Sequence, residues 1–106
     1  MAARFQNVDP ARALALVPKP RIVDVRQPEE FHGELGHIPN AELVPLATVG
    51  ERAREWRTDE PLLFVCRSGG RSSRAAELLA SMGFERVFNL EGGMLAVNAQ
   101  DLPVER

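Results

Sequence analysis

The segment Cys66-Arg67-Ser68-Gly69-Gly70-Arg71-Ser72 gathers one thiol, two guanidiniums, two hydroxyls and two glycines into seven residues. Each type has a physical use around an ionised sulfur. Glycines reach positive φ without steric cost, so successive backbone N–H groups can converge on one point above the thiol. A helix beginning near Arg71 would add its positive end to the same point. In such surroundings a cysteine ionises more readily than a free one and becomes a nucleophile that needs no histidine base. Arg67 and Arg71 are placed to hold the oxygens of a small anion, and Ser72 to donate to the sulfur or cap the helix. A lone cysteine is more commonly a buried small hydrophobe at a strand end. Two arginines and a Gly-Gly pair within five residues of the thiol are unnecessary for that role.

Cys66 is the only cysteine of the chain, so it has no resolving thiol and no companion thiolates for a structural zinc site. Two histidines, His32 and His37, give little support to a transition-metal site, and no metal is expected. His37, beside Ile38-Pro39, reads as structurally held and His32 as a surface residue. Asp24 and Arg26 fall at the carboxyl end of a strand, where they could line the site; an ion pair bracing the loop is the simpler use. Glu29-Glu30 reads as the acidic first turn of a helix, Arg74 as a solvated helix charge and Trp56 as core.

Short elements must position these residues. Asp9-Pro10 marks a helix start, with the helix running to Val17 before Pro18 and Pro20 stop it. Arg21–Val25 and Ala41–Val44 read as strands, with a short helix from Pro28 to His32 between them. Leu46, Val49, Ala53 and Trp56 form a helical stripe. Leu62–Val65 is a continuous apolar run suited to a strand covered on both faces, with Cys66 as its last residue. Arg71–Met82 reads as a helix with Ala75, Ala76, Leu78, Leu79 and Met82 inward. Val87–Leu90 is one more strand, and Gly92-Gly93 opens a final helix to about Ala99. This alternation predicts an α/β fold with a parallel sheet and helices on both faces, and sites in such sheets lie beyond the carboxyl ends of the strands.

The chain has 106 residues, 44% hydrophobic and 26% charged, with a formal net charge of -2. That predicts one domain over 1–106, with its core over about 8–103. With no global positive field, neither nucleic acid nor a membrane surface is an expected partner. The first seventeen residues offer only a short apolar stretch, Ala13–Val17, too brief for a secretory or membrane segment, so a cytoplasmic setting is expected.

Four ordered segments resemble the single-domain rhodaneses, a family of sulfurtransferases. They are Asp24-Val25-Arg26 followed by Glu29-Glu30-Phe31, then Gly36-His37-Ile38-Pro39-Asn40-Ala41, then the Cys66–Ser72 loop, and finally Leu90-Glu91-Gly92-Gly93. The resemblance spans about Val8 to Pro103. It implies a three-layer fold with a five-stranded parallel sheet, no cofactor, and a cysteine that carries sulfur as a persulfide. Cys66 would take the outer sulfur of thiosulfate or of a persulfide donor and yield it to an external thiol, a protein acceptor or cyanide. Arg67 to Ser72 would form the cradle, with Arg71 binding the anionic donor. Near the C-terminus, where the family often has Trp and then Gly-Leu-Pro, this chain has Val97 and Asp101-Leu102-Pro103. Two other readings use the same residues: a thiolate phosphatase or arsenate reductase, and a non-catalytic binding module. Those oxyanion enzymes typically place five residues between Cys and Arg, whereas four intervene between Cys66 and Arg71, making a smaller cradle.

Overall fold

The computed structural model describes residues 4–106; the first three residues of the expected 1–106 unit lie outside them. Five strands, β1 (Gln6–Val8), β2 (Arg21–Asp24), β3 (Glu42–Leu43), β4 (Leu62–Val65) and β5 (Val87–Leu90), form one sheet in the order β1-β5-β4-β2-β3. Every neighbouring pair is parallel. The intervening helices are α1 (Pro10–Ala13), α2 (Pro28–Phe31), α3 (Leu46–Arg52), α4 (Gly70–Ser81) and α5 (Gly93–Ala99). Among the described residues, no helix is long and apolar enough to cross a membrane.

β4 lies in the middle of the sheet, and its four side chains are all buried. Because strand side chains alternate, Leu62 and Phe64 enter one core with Val49, Ala75, Ala76 and Leu79, while Leu63 and Val65 enter the other with Ala13, Met94 and Val97. Thus α3 and α4 cover one face and α1 and α5 the other, which gives the three layers. Val97 is fully buried, so the last helix packs without the aromatic residue common at that end of the family.

Several local expectations are corrected. β1 precedes the first element expected from the sequence; it is short, two of its three side chains are polar, and pairing with β5 through Asn7 and Asn89 is what makes it a strand. Asp9 does cap α1, its carboxylate accepting from the Ala11 N–H at 3.1 Å, but the helix ends at Ala13 rather than Val17. Proline at 18 forces the residue before it toward extended backbone, and Val17 is left 90% exposed. α3 gives way at Ala53–Glu55 to a 3₁₀ turn, so Trp56 is only half-buried, with the Arg21 guanidinium 4.5 Å from its ring centre. On α4 the buried stripe is Ser72, Ala75, Ala76 and Leu79; Leu78 and Met82 stand off it and are exposed. Cys66 is the first residue beyond β4 rather than its last.

One close approach fixes the chain beyond β4. The first turn of α5 donates two hydrogen bonds into it, Met94 N–H to the Cys66 carbonyl at 2.8 Å and Leu95 N–H to the Arg67 carbonyl at 3.0 Å. These amides would otherwise be orphans of a helix start. The approach leaves no room at Gly93, where φ is +59° and a Cβ would come within 2.5 Å of the Cys66 and Arg67 backbone. Gly93→Ala therefore combines left-handed strain with a backbone clash. Thermal unfolding should show a loss of at least about 2 kcal/mol, roughly a 10 °C fall in Tm; an unchanged Tm would mean that the helix start moves away freely.

Candidate active site

The site is built at the carboxyl end of β4, where the chain leaves the sheet and turns into α4. Gly69 is the N-cap of α4 with φ +109°, a conformation that lets its amide turn back toward the preceding thiol. Its N–H donates to Cys66 Sγ at 3.1 Å, and Ser72 Oγ lies 3.2 Å from the same sulfur. Ser72 is fully buried and serves the sulfur; α4 has no side-chain cap. Cys66 itself is only 1% exposed. Burial pushes the thiol pKa up, but hydrogen bonds from the Ser72 hydroxyl and from the amides of Ser72, Gly69 and Ser68 outweigh it and leave the pKa below the ordinary thiol value. Geometry and electrostatics together favour the ionised form of the thiol through hydrogen-bond donors rather than through a histidine base.

Around the sulfur the cradle residues divide. Ser68 and Gly70 are exposed, as is Arg67. Arg67 has no salt-bridge partner among the described residues and lines a groove of about 320 Å³ with Arg26, Glu30, Gly33, Glu34 and Leu35. Arg71 is half-buried, and both of its terminal nitrogens donate to Glu30, each at 2.8 Å. Asp24 and Arg26 form a bidentate ion pair at 2.7 to 3.1 Å, both side chains 1% exposed. Arg26 also donates to the Gly36 carbonyl at 2.8 Å, so this buried pair spans from β2 to the segment that carries His37.

His37 sits among structural contacts, its ring stacked on Phe31 at 3.8 Å and its Nδ1 2.8 Å from the Phe31 carbonyl oxygen. His32 is exposed. Arg74 is exposed on α4.

Two residues near the site were not singled out by sequence reasoning for it. Glu30 occupies the first turn of α2 as expected, where one carboxylate oxygen accepts the Gln27 N–H at 3.0 Å. The hydrogen bonds from Arg71, opposed by burial and aided by the Gln27 amide and the charges of Arg71 and Arg26, bring its pKa down to about 2. No local signal could join residues 41 positions apart in the chain. Asn89, on β5, donates to Asn7 at 2.9 Å and weakly to the Gly69 carbonyl at 3.5 Å, tying the edge strand to the loop.

Comparison with known proteins agrees with this arrangement. The rhodanese-like domain family matches residues 9–100. A thiosulfate sulfurtransferase, GlpE, of Pseudoalteromonas translucida is 34% identical over 97 residues, which are 90% of each chain. The uncharacterized protein YqhL of Bacillus subtilis is 43% identical over 75 residues, 71% of this chain and 58% of that protein, so the matched part is little more than half of YqhL's length. The crystal structure of a rhodanese-related protein from Thermoplasma volcanium superposes with a TM-score of 0.83 at 26% identity, covering 95% of this chain and 98% of that one. With the family matched over most of its length and the same fold in a solved relative, the chain belongs to the rhodanese-like domains, a family that includes sulfurtransferases.

Proposed function

We propose that this protein is a sulfurtransferase acting through Cys66 in two half-reactions, with the unit over about 8–103 working as one domain. In the first, the Cys66 thiolate attacks the outer sulfur of thiosulfate or the terminal sulfur of a persulfide. The donor's S–S bond breaks, its electron pair leaves with sulfite or the donor thiolate, and a persulfide forms on Cys66. In the second, an external thiol, a protein acceptor or cyanide attacks the terminal sulfur, and Cys66 departs as thiolate. Charge balances in both steps, and no cofactor is needed. Covalent transfer of this kind has ping-pong kinetics.

The observation that carries the reading is the pair of donors on a buried sulfur, the Gly69 amide at 3.1 Å and the Ser72 hydroxyl at 3.2 Å. A buried structural thiol has no use for converging donors, whereas a thiolate and the persulfide that replaces it need them. Likeness to a protein named thiosulfate sulfurtransferase supports the same class. Arg67, next to Cys66 in the chain and exposed on the groove, would meet the anionic end of a donor, with the Ser68, Gly69 and Ser72 amides stabilising the sulfur. Arg71, its nitrogens on Glu30, borders that cradle. Asp24 and Arg26 support the wall from within. A reducing, cytoplasmic setting suits a lone thiol that must stay free between turnovers.

Two outcomes are expected. Incubation with thiosulfate or a persulfide donor should add the mass of one sulfur atom to the intact protein, reversibly by thiol reductant, and Cys66→Ser should take up none; wild-type protein that acquires no reducible sulfur from either donor would refute the assignment. Ser72→Ala removes a donor to the ionised sulfur, so the Cys66 pKa must rise and the acid limb of the pH–rate profile must move to higher pH. Glu30, with a pKa near 2, stays ionised throughout that range and does not contribute to the limb. A profile unmoved by Ser72→Ala would show that the hydroxyl does not act on the nucleophile.

A further inference from the structure

The Arg71 guanidinium is the cation that an anionic donor would be expected to use, yet Glu30 occupies both of its terminal nitrogens. Resting on the sulfurtransferase reading above, we propose that Glu30 is a specificity-determining residue: its carboxylate cancels the charge of Arg71 beside the cradle and so favours sulfur donors and acceptors of low charge over dianions such as thiosulfate.

The charges around the thiol support this assignment. Arg26 is neutralised by Asp24 inside the protein. Arg71 is neutralised by Glu30. Arg67, on the groove wall, shares that groove with the Glu34 residue. Two of the three guanidiniums are thus paired with carboxylates, and the field on a dianion is weaker than an arginine-rich loop suggests, with Arg67 unpaired among the described residues. What draws a donor is then Arg67 together with short-range groups: the loop amides, the start of α4 and the apolar side of Leu35 in the groove. Arg71 is within electrostatic reach of the nucleophile. Its guanidinium is held above its ordinary pKa by the Glu30 hydrogen bond first, against burial, and further by the charges of Glu30, Cys66 and Asp24. The pair is half-buried, with side chains 35% and 29% exposed, so salt screens it less than a fully exposed pair.

A role confined to bracing α2 against α4 would not require a charge. Glutamine is nearly isosteric, can accept the Gln27 N–H that caps α2, and can accept one bond from Arg71. Glu30→Gln therefore removes the charge while keeping the scaffold.

Alkylation of Cys66 by neutral iodoacetamide and anionic iodoacetate reads the field at the sulfur directly, without relying on turnover. Glu30→Gln should raise the iodoacetate-to-iodoacetamide rate ratio by about three- to ten-fold, and Arg71→Ala, which leaves Glu30 uncompensated, should lower it by a similar factor. The KM for thiosulfate should fall in the first variant and rise in the second, while the KM for an uncharged organic trisulfide changes by less than about two-fold in either. The alkylation ratio should fall more steeply with salt in Glu30→Gln, where Arg71 is uncompensated, than in the wild type. Ratios shifting the same way in both variants, as a purely structural brace would give, or the same salt dependence in Glu30→Gln as in the wild type, would overturn the proposal. A wild-type protein that accepts no sulfur from either donor is a separate result and overturns the sulfurtransferase reading together with this one.

Discussion

The architecture of the site depends on where the backbone groups just after β4 find their partners. Buried peptide groups must be hydrogen-bonded, and here the carbonyls of Cys66 and Arg67 are taken by the first amides of α5. That leaves the amides of the loop turned the other way, with Gly69 N–H on the sulfur. Two helix starts therefore meet one short segment of chain from opposite sides. α5 holds its carbonyls in place, and the approach to α4 offers N–H groups to the thiol. Gly93 is the position that makes this geometry possible, because a side chain there would meet the very carbonyls that α5 must bond.

The two ion pairs near the site differ in burial, and the difference separates their roles. Asp24 and Arg26 are almost wholly removed from water, so each desolvated charge depends on the other and on the Gly36 carbonyl. Such a pair is costly to bury and costlier to break, and it acts as a brace. Glu30 and Arg71 remain partly solvated beside the loop. There the pair contributes little to stability, and its proposed role is in the potential beside the loop. Of the two loop arginines, Arg71 is thereby offset while Arg67 has no carboxylate partner among the described residues.

Much of the scaffold was legible along the chain. The apolar run Leu62–Val65 marked the central strand, the Gly-Gly pairs marked two helix starts, and the composition of Cys66–Ser72 marked the loop of the candidate site. Elements held by partners distant in the sequence were harder to see. β1 is three residues with two amide side chains, and only its pairing with β5 makes it a strand. Leu78 and Met82 fit a helical stripe by type, but which stripe is buried depends on the sheet beneath, and they face outward. Trp56 carries the largest apolar ring of the chain and yet lies half-exposed under Arg21, because the helix that would have buried it tightens into a 3₁₀ turn.

By itself, the sequence determined the candidate nucleophile and the composition of its surroundings, since a lone thiol followed by glycines, arginines and a serine over seven residues is local information. It also determined the alternation of strands and helices, which local periodicity carries. Only the tertiary structure decided which guanidinium is paired with a carboxylate. Arg67 and Arg71 are equivalent by type and stand four positions apart, but folding brings α2 to Arg71 and places Glu30 on both of its nitrogens. Pairing between residues 41 apart depends on how α2 and α4 are set around the sheet, and no spacing along the chain encodes that distance.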